Sequence, residues 1–503
     1  MKLVFDFKDI KLYITIYTII ILSFSIFFFN FTDFSHTSFK IAMIILLIVI
    51  GAISLIFYKY NIEKMHKVAF VIILLFGITM VFLTPITDAS DEIEHFIRSD
   101  IVSTGQISTD YIAIPNSTEN GYQTIATTII FANATGMTVF DTNVDDSPIN
   151  HTPDYFNSAF SQNPFYAYLT QAIGVFLAKL LDLNAIWMLW LSRLCNILLY
   201  AIIIAFAIKK APTFKLPLLI VAISPISILL AASNNTDGLF TALALLAFAY
   251  FLHFCENNNI EWKDLLIFFA SIILCGLLKA PYLALSLLVF LIPNENFKDK
   301  RQNITSKISI IAVLLLGLIW SGYATNELLH SWRGLHMSEK HVNSTEQLSY
   351  LFSSPIVFGD KIIRLFTELP IIIDRYFFFP DAGRVQFSKF FATIYSVFIL
   401  AFSFLYPLEK KITKNNRIKG FLIAFLIYGS VVFVQYLTWS SVGAAKITAG
   451  VYGRYFTPLI IFLPFIFGNT HTNYDKDKIS FIALVIAMGI TAGVMIMTLF
   501  IKY

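Results

Sequence analysis

The sequence predicts an all-α polytopic membrane protein, and three observations carry that prediction. Hydrophobic residues make up 57% of its 503 positions and charged residues 14%, whereas soluble domains average about 25% charged. Aromatic residues reach 16%, with 51 Phe alone, which excludes a disordered or collagen-like chain. Apolar stretches near the ~20 residues that cross a hydrocarbon core recur from one end to the other.

In order, the spans fall at 12–30, 41–58, 68–84, 186–207, 216–233, 237–254, 264–279, 281–293, 308–324, 387–407, 419–437, 452–468 and 479–501. That gives about 13 transmembrane helices, with 281–293 the shortest. The first run lacks a small-residue cleavage site and reads as an uncleaved span. The stretch 164–181 is also apolar, but it opens on Asn163-Pro164 after a long polar loop. Counting it as a span would move Lys209, Lys210 and Lys215 to the outer side, so it reads as a helix lying in the outer interface.

Charge supports this arrangement through the positive-inside rule. Segments 1–11, 59–67, 209–215, 256–264, 295–307, 409–419 and 471–478 together hold 21 Lys/Arg against 11 Asp/Glu, while loop 85–160 holds 11 acidic residues and one basic residue, Arg98. The N-terminus is therefore expected inside and Tyr503 outside. Two long loops, 85–185 and 325–386, face the extracytoplasmic side, and every cytoplasmic connection is short. The organisation reads as an N-terminal transmembrane hairpin (1–67), a membrane core (68–470) containing both outer loops, and a C-terminal transmembrane helix (471–503). Cys195, Cys255 and Cys275 lie in or beside apolar runs, so no disulfide framework or CxxC metal site is expected.

Chemistry concentrates after the third span. Within eight residues the chain carries Asp91, Glu92, Glu94, His95 and Arg98. If Asp91 opens a helix, Glu94, His95 and Arg98 follow at i+3, i+4 and i+7 on its face, and a carboxylate at a helix N-terminus can stay ionised as a general base. The same spacing also fits a plain N-cap, with Ser90 or Asp91 capping and Glu94 completing a capping box. Polar residues mark other outer helix ends: Ala231-Ala-Ser-Asn-Asn-Thr-Asp237, Lys279-Ala-Pro-Tyr282, Trp439-Ser-Ser-Val-Gly443 and Gly453-Arg454-Tyr455. Lys279 and Arg454 can each snorkel to the interface; together beneath an acidic loop they also fit an anion clamp. Arg193, inside an apolar helix, requires a buried anionic or carbonyl partner.

These groups suit one reaction class. A lipid-phosphate-linked sugar at the outer face carries its own leaving group, a phosphate anion. An enzyme then needs a base, Asp91 or Glu92, and cations to hold the phosphate. No GxxxxGK[ST] loop occurs, and no cytoplasmic segment is large enough for a nucleotide-sugar site.

Ser90-Asp91-Glu92-x-x-His95-Phe96-x-Arg98, followed by Gly105, resembles the opening signature of a bacterial membrane family catalogued as domain of unknown function 2142. Further pieces follow in order: Asn163-Pro-Phe-Tyr166-Ala-Tyr168, Ser192-Arg193-Leu-x-Asn196, Ser224-Pro225 with Asp237, Lys279-Ala-Pro281-Tyr282, and Gly453-Arg454-Tyr455-Phe-x-Pro458. The resemblance covers about residues 68 to 470. That family is similar to membrane glycosyltransferases of the GT-C fold. The resemblance implies an inverting transfer from a polyprenyl-phosphate sugar to a cell-envelope glycan or glycolipid acceptor, in the cytoplasmic membrane of a bacterium. By it Asp91 is the catalytic carboxylate, His95 and Arg98 are local supports, Asp237 is a second outer carboxylate, and Lys279 and Arg454 fall near the lipid phosphate. Arg193, Tyr282 and Tyr455 join them as substrate-side residues. The chain departs from the family pattern at Ser90, where Pro is usual, and at Tyr452, where Gln is common.

Two other classes compete. A transporter or flippase of a lipid-linked precursor would carry its polar residues near the bilayer midplane in paired repeats; here they lie at outer helix ends. A non-catalytic envelope-assembly scaffold would tolerate neutralisation of Asp91. No cofactor is expected. Asp91, Glu92, Glu94 and His95 form a conceivable divalent-cation set, but a monophosphate leaving group with two basic partners has less need of one. Loop 325–386, with Trp332, Arg333, Arg375, Tyr376, Asp381 and Arg384, is expected to shape the acceptor side, and its mixed charge fits a solvated loop equally well.

Overall fold

In the computed structural model all thirteen apolar stretches are helical, though three of them are not single α-helices. The structure describes residues 7–32, 34–107, 131, 133–142, 144, 149, 160, 162–324, 328, 337–377, 382–470 and 475–503. Among these there is no strand, and nine helices are long and apolar enough to cross a membrane.

Helices α1 (Phe7–Phe29), α2 (Thr37–Tyr60) and α3 (Met65–Leu83) come first, and the short α4 (Glu92–Ser103) follows. A 3-10 turn, Phe165–Tyr168, leads into α5 (Leu169–Leu180), and α6 (Ala185–Lys210) follows it. Next are α7 (Lys215–Ala222), α8 (Pro225–Ala231), α9 (Asp237–Glu256) and α10 (Trp262–Leu278). A twelve-residue 3-10 segment, Ala280–Leu291, precedes α11 (Lys300–Tyr323). Three short helices, α12 (Ser344–Phe352), α13 (Pro355–Thr367) and α14 (Leu369–Asp374), lead to α15 (Ala382–Leu405) and α16 (Lys414–Trp439). The chain closes with a 3-10 segment, Gly453–Ile461, then α17 (Phe462–Phe467) and α18 (Lys476–Lys502).

Each departure from a single α-helix has a local cause. Stretch 216–233 breaks at Ser224-Pro225, where the Ser224 hydroxyl accepts from the Ser227 N–H and Pro225 opens α8; proline has no N–H to continue the preceding helix. Stretch 281–293 is wound as 3-10 helix behind Pro281. At about 2 Å rise per residue, its twelve residues reach roughly as far as a longer α-helix. Stretch 452–468 is half 3-10, with Pro458 inside it. Long 3-10 runs are uncommon and tend to mark functional places; these two carry Lys279 at the edge of one and Arg454 within the other.

Helices α9 and α18 are buried on nearly every side, as expected of helices apolar all round. The C-terminal α18 therefore runs through the bundle, packing along α1, α2, α3 and α15. The N-terminal hairpin and C-terminal helix, remote in sequence, form one unit. The apolar 164–181 stretch lies against α6 and α4 and leaves one apolar face, with Leu169, Ile173, Phe176 and Leu180, exposed. It crosses α6 so closely that a Cβ on Gly174 would meet the Leu191 backbone at 2.4 Å.

Polar contacts sort the connections into two ends. Lys210 pairs with Asp264, Lys410 with Glu256 and Lys476 with Glu409. At the opposite end Asp88 pairs with Arg384, Asp91 with Arg454, and Lys502 donates to the Gly136 carbonyl. The carboxylate-rich turn and the Gly453–Tyr455 segment thus share one end of the bundle.

Candidate functional site

The site is assembled by a buried arginine. Arg193 of α6 donates through Nη1 to the Val81 and Thr84 carbonyls and through Nη2 to that of Pro85. These are carbonyls left over at the end of α3. Its remaining donors make a two-point pair with Glu92 at 2.8 and 2.7 Å. The expected buried partner of Arg193 is therefore both a carboxylate and a set of carbonyls. Glu92 in turn accepts from the backbone N–H of Ala89 and of Asn234. One ion pair thereby fixes the end of α3, the start of α4 and the turn before α9.

That turn is tied down further. Asn196 donates to the Ser233 and Asn235 carbonyls, and Asn235 donates to the Ser90 carbonyl while accepting from the Asp237 N–H. Asp237, at the first position of α9, is thereby set beside the Asp91 turn.

Asp91 itself is not in the helix. It occupies the left-handed region at φ 58 and its side chain caps nothing. Helix α4 starts at Glu92, with Asp91 at its N-cap position but making no side-chain cap; Asp91, Glu94 and His95 still line one cavity, while Arg98 stands apart from it. The Asp91 carboxylate is 48% exposed, and its Oδ2 lies 3.1 Å from Nη2 of Arg454 and accepts from the Ser90 hydroxyl.

Asp91 opens onto a cavity of about 510 Å³. Its lining combines charged side chains, Asp91, Glu94, Asp237, Lys279 and Arg454, with apolar and aromatic ones from apolar helices, Leu277, Trp320, Val431, Val434 and Trp439. Lys279 Nζ lies 2.8 Å from Asp237 and over the Tyr455 ring at 4.3 Å. Arg454 Nε lies 3.3 Å from Asp237, and its Nη1 is buried with no hydrogen-bond partner among the described residues. An unsatisfied buried guanidinium N–H facing a cavity is a ready anion donor.

His95 also lines the cavity. Its Nδ1 is 2.9 Å from the Tyr168 hydroxyl, which accepts from Asn163, and Phe160 stacks on the ring at 4.0 Å. Burial pushes the imidazole down to about 4, against the opposing pull of Asp91 and Asp237. It is neutral near pH 7.

Of the ten residues singled out in the sequence, six meet at the cavity: Asp91, His95, Asp237, Lys279, Arg454 and Tyr455. The other four stand behind it. Glu92 and Arg193 hold each other, fully buried, so neither is presented to a substrate. Arg98 donates to the Ile107 carbonyl beside the Tyr168 ring. Tyr282 donates to the Tyr455 carbonyl. Glu92 being committed to Arg193, the acidic cluster does not converge as a cation site, and among the described residues no three His, Cys, Asp or Glu side chains group to hold a metal.

In the 325–386 segment, Tyr376 and Arg375 brace the Arg454 segment: Arg375 donates to the Thr448 carbonyl and the Tyr376 hydroxyl meets Thr457. Arg384 is buried against Asp88 rather than shaping an acceptor surface. Trp332, Arg333 and Asp381 lie outside the described residues. Gln435 was missed in the sequence; it lines the cavity with its Oε1 buried and unpartnered. Its signal was a lone amide inside the apolar α16.

Residues 74–463 match the family model described as Predicted membrane protein (DUF2142). The chain belongs to this family. The match spans the cavity and every charged residue around it, and omits the α1–α2 hairpin and α18. No curated protein and no solved structure matches the chain.

Proposed function

We propose that this DUF2142 protein is an inverting glycosyltransferase of the GT-C type. It moves a sugar from a polyprenyl-phosphate carrier to an envelope glycan or glycolipid on the extracytoplasmic face of a bacterial membrane. The observation that carries this reading is the pairing, in one cavity, of a half-exposed carboxylate with two cations: Asp91 beside Arg454, with Lys279 across Asp237. Asp91 is the general base that takes the acceptor hydroxyl proton; Glu92, locked to Arg193, is not available for that role. Arg454 and Lys279 hold the phosphate as the bond to the anomeric carbon breaks, so the leaving group departs without a general acid. The apolar residues in the lining suit the prenyl chain.

A transport reading has one observation in its favour. The interrupted helices, α7–α8 and the two 3-10 segments, are of the kind transporters use around a substrate.

Mass spectrometry of envelope glycans and lipid-linked sugars separates the two. The strains are a deletion, one restored with the native protein and one restored with Asp91→Asn at equal membrane level. Transfer predicts that Asp91→Asn behaves like the deletion, losing one sugar while its lipid-phosphate donor accumulates. A native glycan pattern with Asp91→Asn removes Asp91 as the base and puts transport ahead.

A further inference from the structure

Arg454 is shared between two carboxylates held with unequal strength. Asp237 is 8% exposed and has Lys279 on its other oxygen at 2.8 Å. Asp91 is half exposed and meets Arg454 through a single 3.1 Å contact. Next to that contact, Nη1 of the same guanidinium is buried, unpartnered and part of a residue lining the cavity. Three carboxylates, Asp91, Glu94 and Asp237, face two cations, Lys279 and Arg454, in the cavity, so an incoming anion meets no net positive charge and gains Arg454 only where a carboxylate gives up its contact. The half-exposed one loses least by doing so, because water replaces its partner.

A guanidinium binds a phosphate best through two adjacent N–H groups at once. Nη1 has no hydrogen-bond partner among the described residues, and Nη2 beside it is the nitrogen that holds Asp91. A phosphate that takes both must displace Asp91. We propose that Arg454 is a latch on Asp91 which the phosphate group of the ligand releases. This rests on the reading of Asp91 as base and Arg454 as phosphate clamp, and adds an order to it: the phosphate-bearing donor binds first, and only then is the carboxylate released to meet an acceptor hydroxyl. In the closed latch Oδ2 of Asp91 is occupied by Arg454 and the Ser90 hydroxyl. An acceptor arriving early finds that oxygen engaged. Leu277, Val431 and Val434, which line the same cavity, assign the phosphate to a lipid headgroup over a free ion.

Linkage supplies the test, since two groups competing for one guanidinium must weaken each other reciprocally. Dodecyl monophosphate and inorganic phosphate are titrated into the detergent-purified full chain, followed by tryptophan fluorescence, for the native protein, Asp91→Asn, Asp91→Ala and Arg454→Gln. The latch predicts that both Asp91 variants bind dodecyl phosphate tighter than native, about fivefold or more, while Arg454→Gln binds at least tenfold weaker. A merely structural Asp91 would weaken binding when changed. If the native chain binds and Arg454→Gln does not, yet neither Asp91 variant gains affinity, the latch is overturned and the clamp stands. If native and Arg454→Gln bind alike or not at all, the clamp itself falls, and the latch with it. Inorganic phosphate binding as tightly as dodecyl phosphate overturns the lipid source.

Discussion

Arg193 and Glu92, 101 positions apart, form a fully buried two-point ion pair that joins three chain segments around the candidate site. Every N–H of the Arg193 side chain that faces these segments is used, on two carboxylate oxygens and three carbonyls. Breaking such a pair from one side leaves an uncompensated buried charge, at roughly 3–5 kcal/mol. Arg193→Met is therefore expected to lower the thermal midpoint in detergent sharply, and Glu92→Gln to lower it less, because the amide still accepts from Asn234. The double change Arg193→Met with Glu92→Leu should recover part of the loss. A double variant less stable than Arg193→Met alone would show that the bonds Glu92 accepts from the Ala89 and Asn234 N–H groups, not the charge pair, dominate.

Gly453 is held by close approach rather than by turn geometry. A Cβ there would lie 2.6 Å from the Tyr376 Cα and 2.7 Å from the Ile372 carbonyl oxygen, both backbone atoms that cannot swing aside. Overpacking of this kind costs roughly 1–3 kcal/mol. Gly453→Ala is expected to lower the thermal midpoint and also to displace Arg454, weakening phosphate binding. Gly322→Ala, where nothing lies within 4 Å, is the control and should leave both unchanged.

Much of this was legible in the sequence, and the rest was not for identifiable reasons. Polar residues at the ends of apolar runs located Asp237, Lys279 and Arg454, because ionisable groups beside membrane spans are rare enough to stand out. The eight-residue acidic motif located Asp91 and His95 together. What the motif could not give was the division between Asp91 and Glu92. Asp91 sits outside the helix in the left-handed region while Glu92 is its first residue, so adjacent carboxylates leave the chain in different directions. Hydrophobic composition likewise does not separate 3-10 from α winding, which is why Ala280–Leu291 and Gly453–Ile461 read as ordinary spans. Arg193 announced that it needed a partner, but only tertiary structure could bring Glu92 to it.

His95 sets a pH dependence whose sign follows from its burial. The imidazole is pushed down to about 4 from an ordinary 6.5, chiefly by burial. Between those values the unfolded chain takes up a proton that the folded chain refuses, so stability rises with pH across the window and is lost as pH falls. The full shift corresponds to about 3 kcal/mol. Thermal midpoints measured from pH 7 down to 4.5 should decline, and His95→Gln should decline less steeply over the same range. Parallel declines in the two proteins would assign the effect to carboxylates elsewhere.

Lys279 has a structural task and, in the proposed reaction, a second one. It neutralises Asp237 at 2.8 Å and lies over the Tyr455 ring. Lys279→Met leaves the buried carboxylate to Arg454 alone, so both stability and transfer should drop. Adding Asp237→Asn removes the stranded charge and should bring the thermal midpoint back toward native. Transfer should stay low in that double variant, by about 10²-fold if Lys279 stabilises the departing phosphate as a preorganised cation does in other sites. Reaction rates on purified protein at matched folded fraction make the distinction. Recovery of transfer together with stability would reduce Lys279 to a partner of Asp237 and leave Arg454 as the one cation of the clamp.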